Sequence, residues 1–154
     1  MKLLTTILFL TLSLVQTSCG NDDTSSNNNS DNFLIVKIEG DEFKASFVNG
    51  LIVVRNNITI SGSDVSGNNV VLNFPLNSAT GDTFTIDNGF MASFDHSNGD
   101  AAVSSQGSVT ITSHNKDTKR ISGTFSFVGS PLEADGLTYN FTSGTFETAY
   151  NLIN

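Results

Sequence analysis

From Phe33 onward, apolar side chains recur at every second position in short runs, and Gly, Asn, Asp and Ser close each run. A period of two puts alternate side chains on opposite faces of a strand, whereas no window carries the 3.6-residue period of an amphipathic helix. "FLIVKI" (33 to 38) is almost continuously apolar, and "EFKASF" (42 to 47) aligns Phe43, Ala45 and Phe47. "GLIVVRNNITISG" predicts two strands, around Ile52 and Ile60, and "NNVVLNFPL" aligns Val70, Leu72 and Phe74 before Pro75, which has no N–H to give a ladder. Further along, Phe84 pairs with Ile86, Phe90 with Ala92 and Phe94, and Val109 with Ile111. The spacers "SDVSGNN", "NSATGD", "DNG" and "HNKDTK" consist of residues that accept positive φ or bond their own backbone. The pattern predicts an all-β domain, an antiparallel meander of about ten strands forming a β-sandwich or flattened barrel, and does not choose between those two.

The tetrapeptide Ser-Gly-Thr-Phe occurs twice, in "ISGTFSF" (121 to 127) and "FTSGTFE" (141 to 147). In the first copy Ile121, Gly123, Phe125 and Phe127 keep one parity. In the second, Leu137, Tyr139 and Phe141 share a parity that Phe146 and Tyr150 do not. One extra residue in a strand re-aims everything after it, so a β-bulge at Ser143-Gly144 is expected, with Gly144 supplying the unusual backbone. The repeat then reads as two strands solving one packing problem, each glycine marking a bend or a close approach.

Ahead of the domain, "MKLLTTILFLTLSLVQTSCG" has Lys2, an apolar run from Leu3 to Val15 and small residues before Cys19. This is a secretory leader, too short and too polar for a membrane span. "VQTSCG" resembles a bacterial lipobox, with Gln16 standing where Leu is usual; the resemblance implies that Cys19 becomes the lipidated N-terminus. Residues 1–18 are thus expected to be a lipoprotein signal peptide, 19–32 a lipidated cysteine with a polar tether, and 33–154 a single β domain. "GNDDTSSNNNSDN" carries no apolar side chain to offset the entropy of ordering. Asp22 and Asp23 resemble the acidic export signal of surface lipoproteins; ordinary linker acidity explains them equally well.

The lipobox, the Thr-Ile-Thr strand, "RISGTFSF" and the terminal Gly-Thr-Phe strand together resemble a small Bacteroidetes lipoprotein family of unknown function. The resemblance implies an outer membrane lipoprotein, on the cell surface or the periplasmic face, and supplies no catalytic residues.

Charge excludes one large class of partners. With 7 Lys plus Arg against 15 Asp plus Glu, the chain lacks the positive field that nucleic acid requires. Its rings are 12 Phe and 2 Tyr with no Trp, a set better suited to a core than to a wet stacking surface. Cys19 is the single cysteine, and no nucleophile elbow, phosphate loop or zinc motif occurs. His96 and His114 lie among polar residues and are expected to be exposed turn histidines. "DHSNGD" is the one local oxygen cluster; Asp95, Ser97 and Asp100 are candidates for a weak Ca²⁺ site, set against a solvated hairpin turn, since no distal Glu completes the loop. No enzyme activity and no cofactor are expected. The predicted role is a binding module, anchored to the membrane through its N-terminal lipid, with an envelope protein or glycan as partner. The alternatives are a structural envelope-assembly lipoprotein and a hydrolase.

Overall fold

The computed structural model describes residues 32–53 and 56–152; Cys19, Asp22 and Asp23 lie outside them. Ten strands form where the alternation runs: β1 (Phe33–Ile38), β2 (Asp41–Lys44), β3 (Phe47–Val53), β4 (Asn57–Ser63), β5 (Asn69–Pro75), β6 (Thr83–Thr85), β7 (Met91–Asp95), β8 (Ala101–Asn115), β9 (Arg120–Pro131) and β10 (Tyr139–Leu152). One 3₁₀ turn, Ile86–Asn88, separates β6 from β7. The expected parities hold for the buried sets Val70, Leu72 and Phe74, Phe90, Ala92 and Phe94, and Val109 and Ile111.

Two expected core residues point outward instead. Phe47 is 64% exposed and Leu137 60% exposed. Between β2 and β3 the chain changes partners: the Ala45 N–H bonds the Leu34 carbonyl, and the next N–H, of Ser46, bonds the Ser63 carbonyl. Parity does not carry across such a switch, so Phe43 is buried and Phe47 is not. Leu137 precedes β10 and belongs to its entry loop.

All ten strands belong to one sheet, bent into a ring that is not a regular barrel. The ring path is β3-β4-β5-β7-β8-β9-β10, and β10 returns to β3. Closure uses a short parallel ladder, Tyr150 to Leu152 beside Gly50 to Ile52. Gly50 permits it, because a methyl there would lie 2.5 Å from the Ala149 carbonyl oxygen. The connectivity departs from a plain meander at two places: β1 and β2 add to the outer part of β10, and β6 sits on β8 rather than between β5 and β7. The β1–β2 hairpin turns on Glu39 (φ 52) and Gly40 (φ 95), the two positive-φ residues that match strand twist.

The three long strands β8, β9 and β10 curl because their ladders slip. Register shifts interrupt β8 against β9 twice and β10 against β9 between Phe141 and Gly144. The last is the expected bulge. Its unusual backbone, however, belongs to Ser143 (φ 53), not to the glycine. Gly144 has a different task.

β9 and β10 pair so that the two Ser-Gly-Thr-Phe copies run antiparallel: Gly123 faces Phe146, Thr124 faces Thr145, and Phe125 faces Gly144. A methyl on Gly144 would lie 2.6 Å from the Phe125 ring, and one on Gly123 would lie 2.7 Å from the Phe146 ring. Each glycine makes room for the phenylalanine of the other copy, and the two rings meet at a centroid distance of 6.3 Å. The repeat is one cross-strand lock written twice. Toward the other end of the core, Phe127 stacks on Phe141 at 3.9 Å, and Phe94 meets Phe141 and Tyr139 edge-on. Each fully buried ring contributes roughly 1.5–3 kcal/mol of transfer free energy.

Strand directions sort the turns into two ends. The β3–β4, β5–β6 and β8–β9 connections gather at one end; the β1–β2, β4–β5, β7–β8 and β9–β10 connections gather at the other.

Candidate functional site: a lysine-rimmed cleft at one end of the ring

A cleft with a volume of about 780 Å³ opens at the first end. Its apolar surface comes from Ile52 at the end of β3, Pro75 and Leu76 at the end of β5, and the ring of Tyr150 on β10. Asn56, Asn57 and Asn77 add amides, and Lys116 and Lys119 of the β8–β9 turn supply two ammonium groups. No carboxylate lines it among the described residues.

Local chemistry builds this mouth. Pro75 cannot extend the β5 ladder, and the chain leaves the sheet there. The Leu76 N–H then bonds the Asn56 carbonyl at 2.8 Å, tying the β5–β6 loop to the β3–β4 turn. In the β8–β9 turn the Asn115 side-chain oxygen accepts from the N–H groups of Asp117 and Thr118, both at 3.0 Å. Lys119 takes positive φ (52) at its end, and its carbonyl accepts from the Tyr150 N–H at 2.9 Å. Both lysines therefore sit on a hydrogen-bonded frame, and their side chains are exposed.

Tyr150 is held by a relay. His114 lies 2.8 Å through Nδ1 from the Ser78 carbonyl and 2.8 Å through Nε2 from the Tyr150 hydroxyl. A carbonyl can only accept, so Nδ1 carries a proton, and in the neutral ring Nε2 accepts from the tyrosine. Burial raises the Tyr150 hydroxyl above its ordinary value of 10.0, which keeps it a neutral donor. Sequence reading placed His114 in an exposed turn; it stands near the end of β8, half-buried and with both ring nitrogens engaged.

The opposite end is acidic. A smaller cleft of about 350 Å³ lies there, bordered by Glu39, Asp41, Glu42 and Asp64 and by the Phe94, His96 and Tyr139 rings. His96 is half-buried rather than exposed, stacked against Tyr139 and edge-on to Phe94. Asp64 caps its own turn, accepting from Ser66 N–H at 2.8 Å, Asn68 N–H at 2.9 Å and the Asn68 amide at 2.7 Å. Burial pushes its carboxyl up, but the Asn68, Ser66 and Gly67 donors outweigh burial and hold it below 3.8. Tyr139 is pushed above 10.0 by burial first and then by the charge and hydrogen bond of Asp100.

Of the residues singled out for calcium, Asp95 ends β7, while Ser97 and Asp100 belong to the β7–β8 turn. Ser97 spends its N–H on the Asn68 side chain at 3.0 Å, joining two turns. One Asp100 carboxylate oxygen accepts from the Asn98 amide at 2.9 Å and from the Tyr139 hydroxyl at 3.3 Å. Among the described residues no group of three or more His, Cys, Asp or Glu is arranged to hold a metal ion.

The cleft residues come from four separate segments, and sequence reading marked only the stretches from Asn77 to Asp82 and from His114 to Lys119 as polar turns. Ile52, Leu76 and Tyr150 are ordinary strand-end residues in sequence; only ring closure brings them together.

The described residues thus form an all-β ring with a polar-rimmed apolar cleft at the end where β10 meets β3. By the match of residues 30–149, it belongs to the family described as a domain of unknown function, DUF6252. No curated protein and no solved structure matches the chain.

Proposed function

We propose that the protein is a membrane-anchored binding module, held by lipid on Cys19 and the tether behind it, whose cleft takes a small acidic ligand with an apolar body. The observation that carries this reading is the composition of the cleft. In a chain with 15 acidic and 7 basic residues, two lysines rim it and no carboxylate joins them among the described residues. Its volume lies within the range of small-molecule sites, and a largely apolar wall with a few fixed polar groups is how such sites obtain both affinity and orientation. The histidine behind Tyr150 supports binding over catalysis: His114 is committed to Ser78 and Tyr150, so it positions a wall instead of exchanging protons with a ligand.

The chain has no tryptophan, so Asn77→Trp gives a single fluorophore at the mouth. The full chain carrying it is titrated with short-chain alkyl phosphates and carboxylates, their neutral and cationic counterparts, and soluble acidic oligosaccharides. Acidic ligands should shift its emission and weaken as salt rises, and Lys116→Glu with Lys119→Glu should abolish the response. Equal responses to neutral, cationic and acidic ligands, or none, would refute the reading.

A second reading rests on the acidic carboxylates around the smaller cleft: that end offers a polar or basic envelope protein, or a glycan, a separate contact. Asp41→Asn with Glu42→Gln, both exposed, should remove such a partner from a pull-down while stability is nearly retained; retention of every captured protein would contradict it.

A further inference from the structure

The place where the tether joins the domain says which way the cleft faces. Asn32 lies against β10, its side-chain oxygen accepting from the Ala149 N–H at 3.2 Å, next to Tyr150 of the cleft wall. Phe33 continues from there beside Glu147, and β1 runs away toward the acidic end. The chain therefore enters the domain at the lysine end. A polar segment as long as that from Cys19 to Asn32, treated as a flexible chain, has a root-mean-square span of about 20 Å. A domain held by lipid at Cys19 is then kept close to the bilayer by its cleft end, with the far end outward.

Charge acts in the same sense. Glu39, Asp41, Glu42, Asp64, Asp95 and Asp100 stand on or beside the far turns with only Lys37 near them, whereas at the tether end Lys116, Lys119 and Arg120 stand beside Asp82, Asp117 and Glu147 and so leave that end close to neutral among the described residues. An anionic membrane surface repels the acidic far end more than the nearly neutral tether end, over a distance of about 8 Å at physiological salt. Tether and charge asymmetry thus favour the same orientation.

We infer that the ligand of the cleft is a phosphate-bearing lipid of the membrane that holds the protein, its phosphate set between Lys116 and Lys119 and the upper part of its apolar body laid on Ile52, Pro75, Leu76 and the Tyr150 ring. This inference rests on the proposed anchored binding module and names its ligand. The chemistry of the lining fits: ammonium groups are compact point charges suited to phosphate, and Asn56 and Asn77 offer further donors. A two-chain lipid exceeds a cleft of about 780 Å³, so its tails stay in the bilayer, which requires a mouth turned toward the membrane. The entry point of the tether provides that. A soluble acidic sugar would meet the same lysines, but nothing about it would call for this orientation.

The test uses the full chain with its own anchor, reconstituted into vesicles of phosphatidylcholine alone or of phosphatidylcholine with phosphatidylglycerol, the acyl chains brominated near the headgroup in either component. One sample carries Asn77→Trp at the mouth, the other Leu132→Trp in the loop of the far end. Brominated phosphatidylglycerol should quench the Asn77→Trp emission at least about threefold more than it quenches Leu132→Trp. Lys116→Glu with Lys119→Glu should remove the difference, with an unchanged circular dichroism spectrum showing that the ring persists. Equal quenching of both reporters overturns the orientation. Response to soluble acidic oligosaccharide with no lipid quenching overturns the lipid while leaving the binding module standing. Silence in every arm, soluble ligands included, removes the binding module too.

Discussion

If each glycine of the repeated Ser-Gly-Thr-Phe exists to admit the other copy's phenylalanine, a single methyl group should expose the arrangement. At Gly144 the new carbon would lie 2.6 Å from Phe125 Cε1 and Cζ and 2.7 Å from Cδ1, about 1 Å inside ordinary contact. The ring cannot retreat freely, because Phe127 and Phe146 stand beside it with centroids 6.3 Å away. Gly144→Ala should therefore cost about 1–3 kcal/mol, the range for an overpacked core. At Gly123 the new carbon also meets the Thr110 carbonyl oxygen at 2.6 Å, and that backbone is fixed in the β8–β9 ladder. Gly123→Ala should cost more, about 2–4 kcal/mol, since strands and not only a ring must shift. Urea unfolding followed by circular dichroism measures both, with an unchanged denaturant slope showing that the change is in stability. The decisive element is the pair. Phe125→Leu alone should cost about 1–2 kcal/mol, but combined with Gly144→Ala it should restore room, giving a favourable coupling of about 1 kcal/mol or more. Additive costs, or a harmless Gly144→Ala, would refute the reciprocal lock. Ser143 is the internal control: it holds the positive φ, so Ser143→Gly should be neutral or stabilising by up to about 1 kcal/mol, and Ser143→Val should destabilise.

Tyr150→Phe leaves His114 Nε2 without its donor and should cost about 1–2 kcal/mol, read from the urea midpoint; an unchanged midpoint would mean the relay does not hold the cleft wall. Because the folded carboxyl of Asp64 is held low, its stabilisation is present above the unfolded value near 4 and is lost as pH falls below it; Asp64→Asn should flatten that acid limb of the stability profile, and an unaltered limb would refute this. Tyr139 is held high, so its contribution is present below about pH 10 and is lost as pH rises beyond; Tyr139→Phe should make the alkaline limb shallower, as unfolding titrations across that range would show. Cys19→Ser should release the protein from membranes and end its labelling with palmitate, and a soluble, unlabelled wild type would sink the anchor. Asp22→Ala with Asp23→Ala should make the domain inaccessible to protease on intact cells at constant total protein; unchanged accessibility would leave these two as spacer.

Period-two alternation carries much of the fold, because a strand with one buried face must repeat that way: Val70, Leu72 and Phe74 are legible in sequence and wholly buried. The bulge before Phe146 was legible for the same reason, as a break in parity. What the alternation does not contain is the partner of each strand. Phe47 looked like core because parity was carried through Ala45-Ser46, where the chain actually passes from β1 to the edge of β4. The role of Gly144 was misread as backbone freedom because its need is set by Phe125, nineteen positions away, and only the β9–β10 register brings them together. The cleft was hidden similarly. Lys116 and Lys119 read as an ordinary polar turn, and nothing local marks Ile52, Leu76 and Tyr150 as its neighbours. Polarity of charge along the ring became visible only once strand directions had sorted the turns into two ends.

The most direct measurement is amide-resolved NMR of the isotopically labelled full chain titrated with a soluble short-chain phosphatidylglycerol. The account predicts saturable shifts confined to Ile52, Asn56, Leu76, Asn77, Lys116 to Lys119 and Tyr150, diminishing as salt rises. Shifts centred instead on Glu39 to Glu42, Asp64 to Asn68 and His96, or none in the lysine-rimmed cleft, would contradict it.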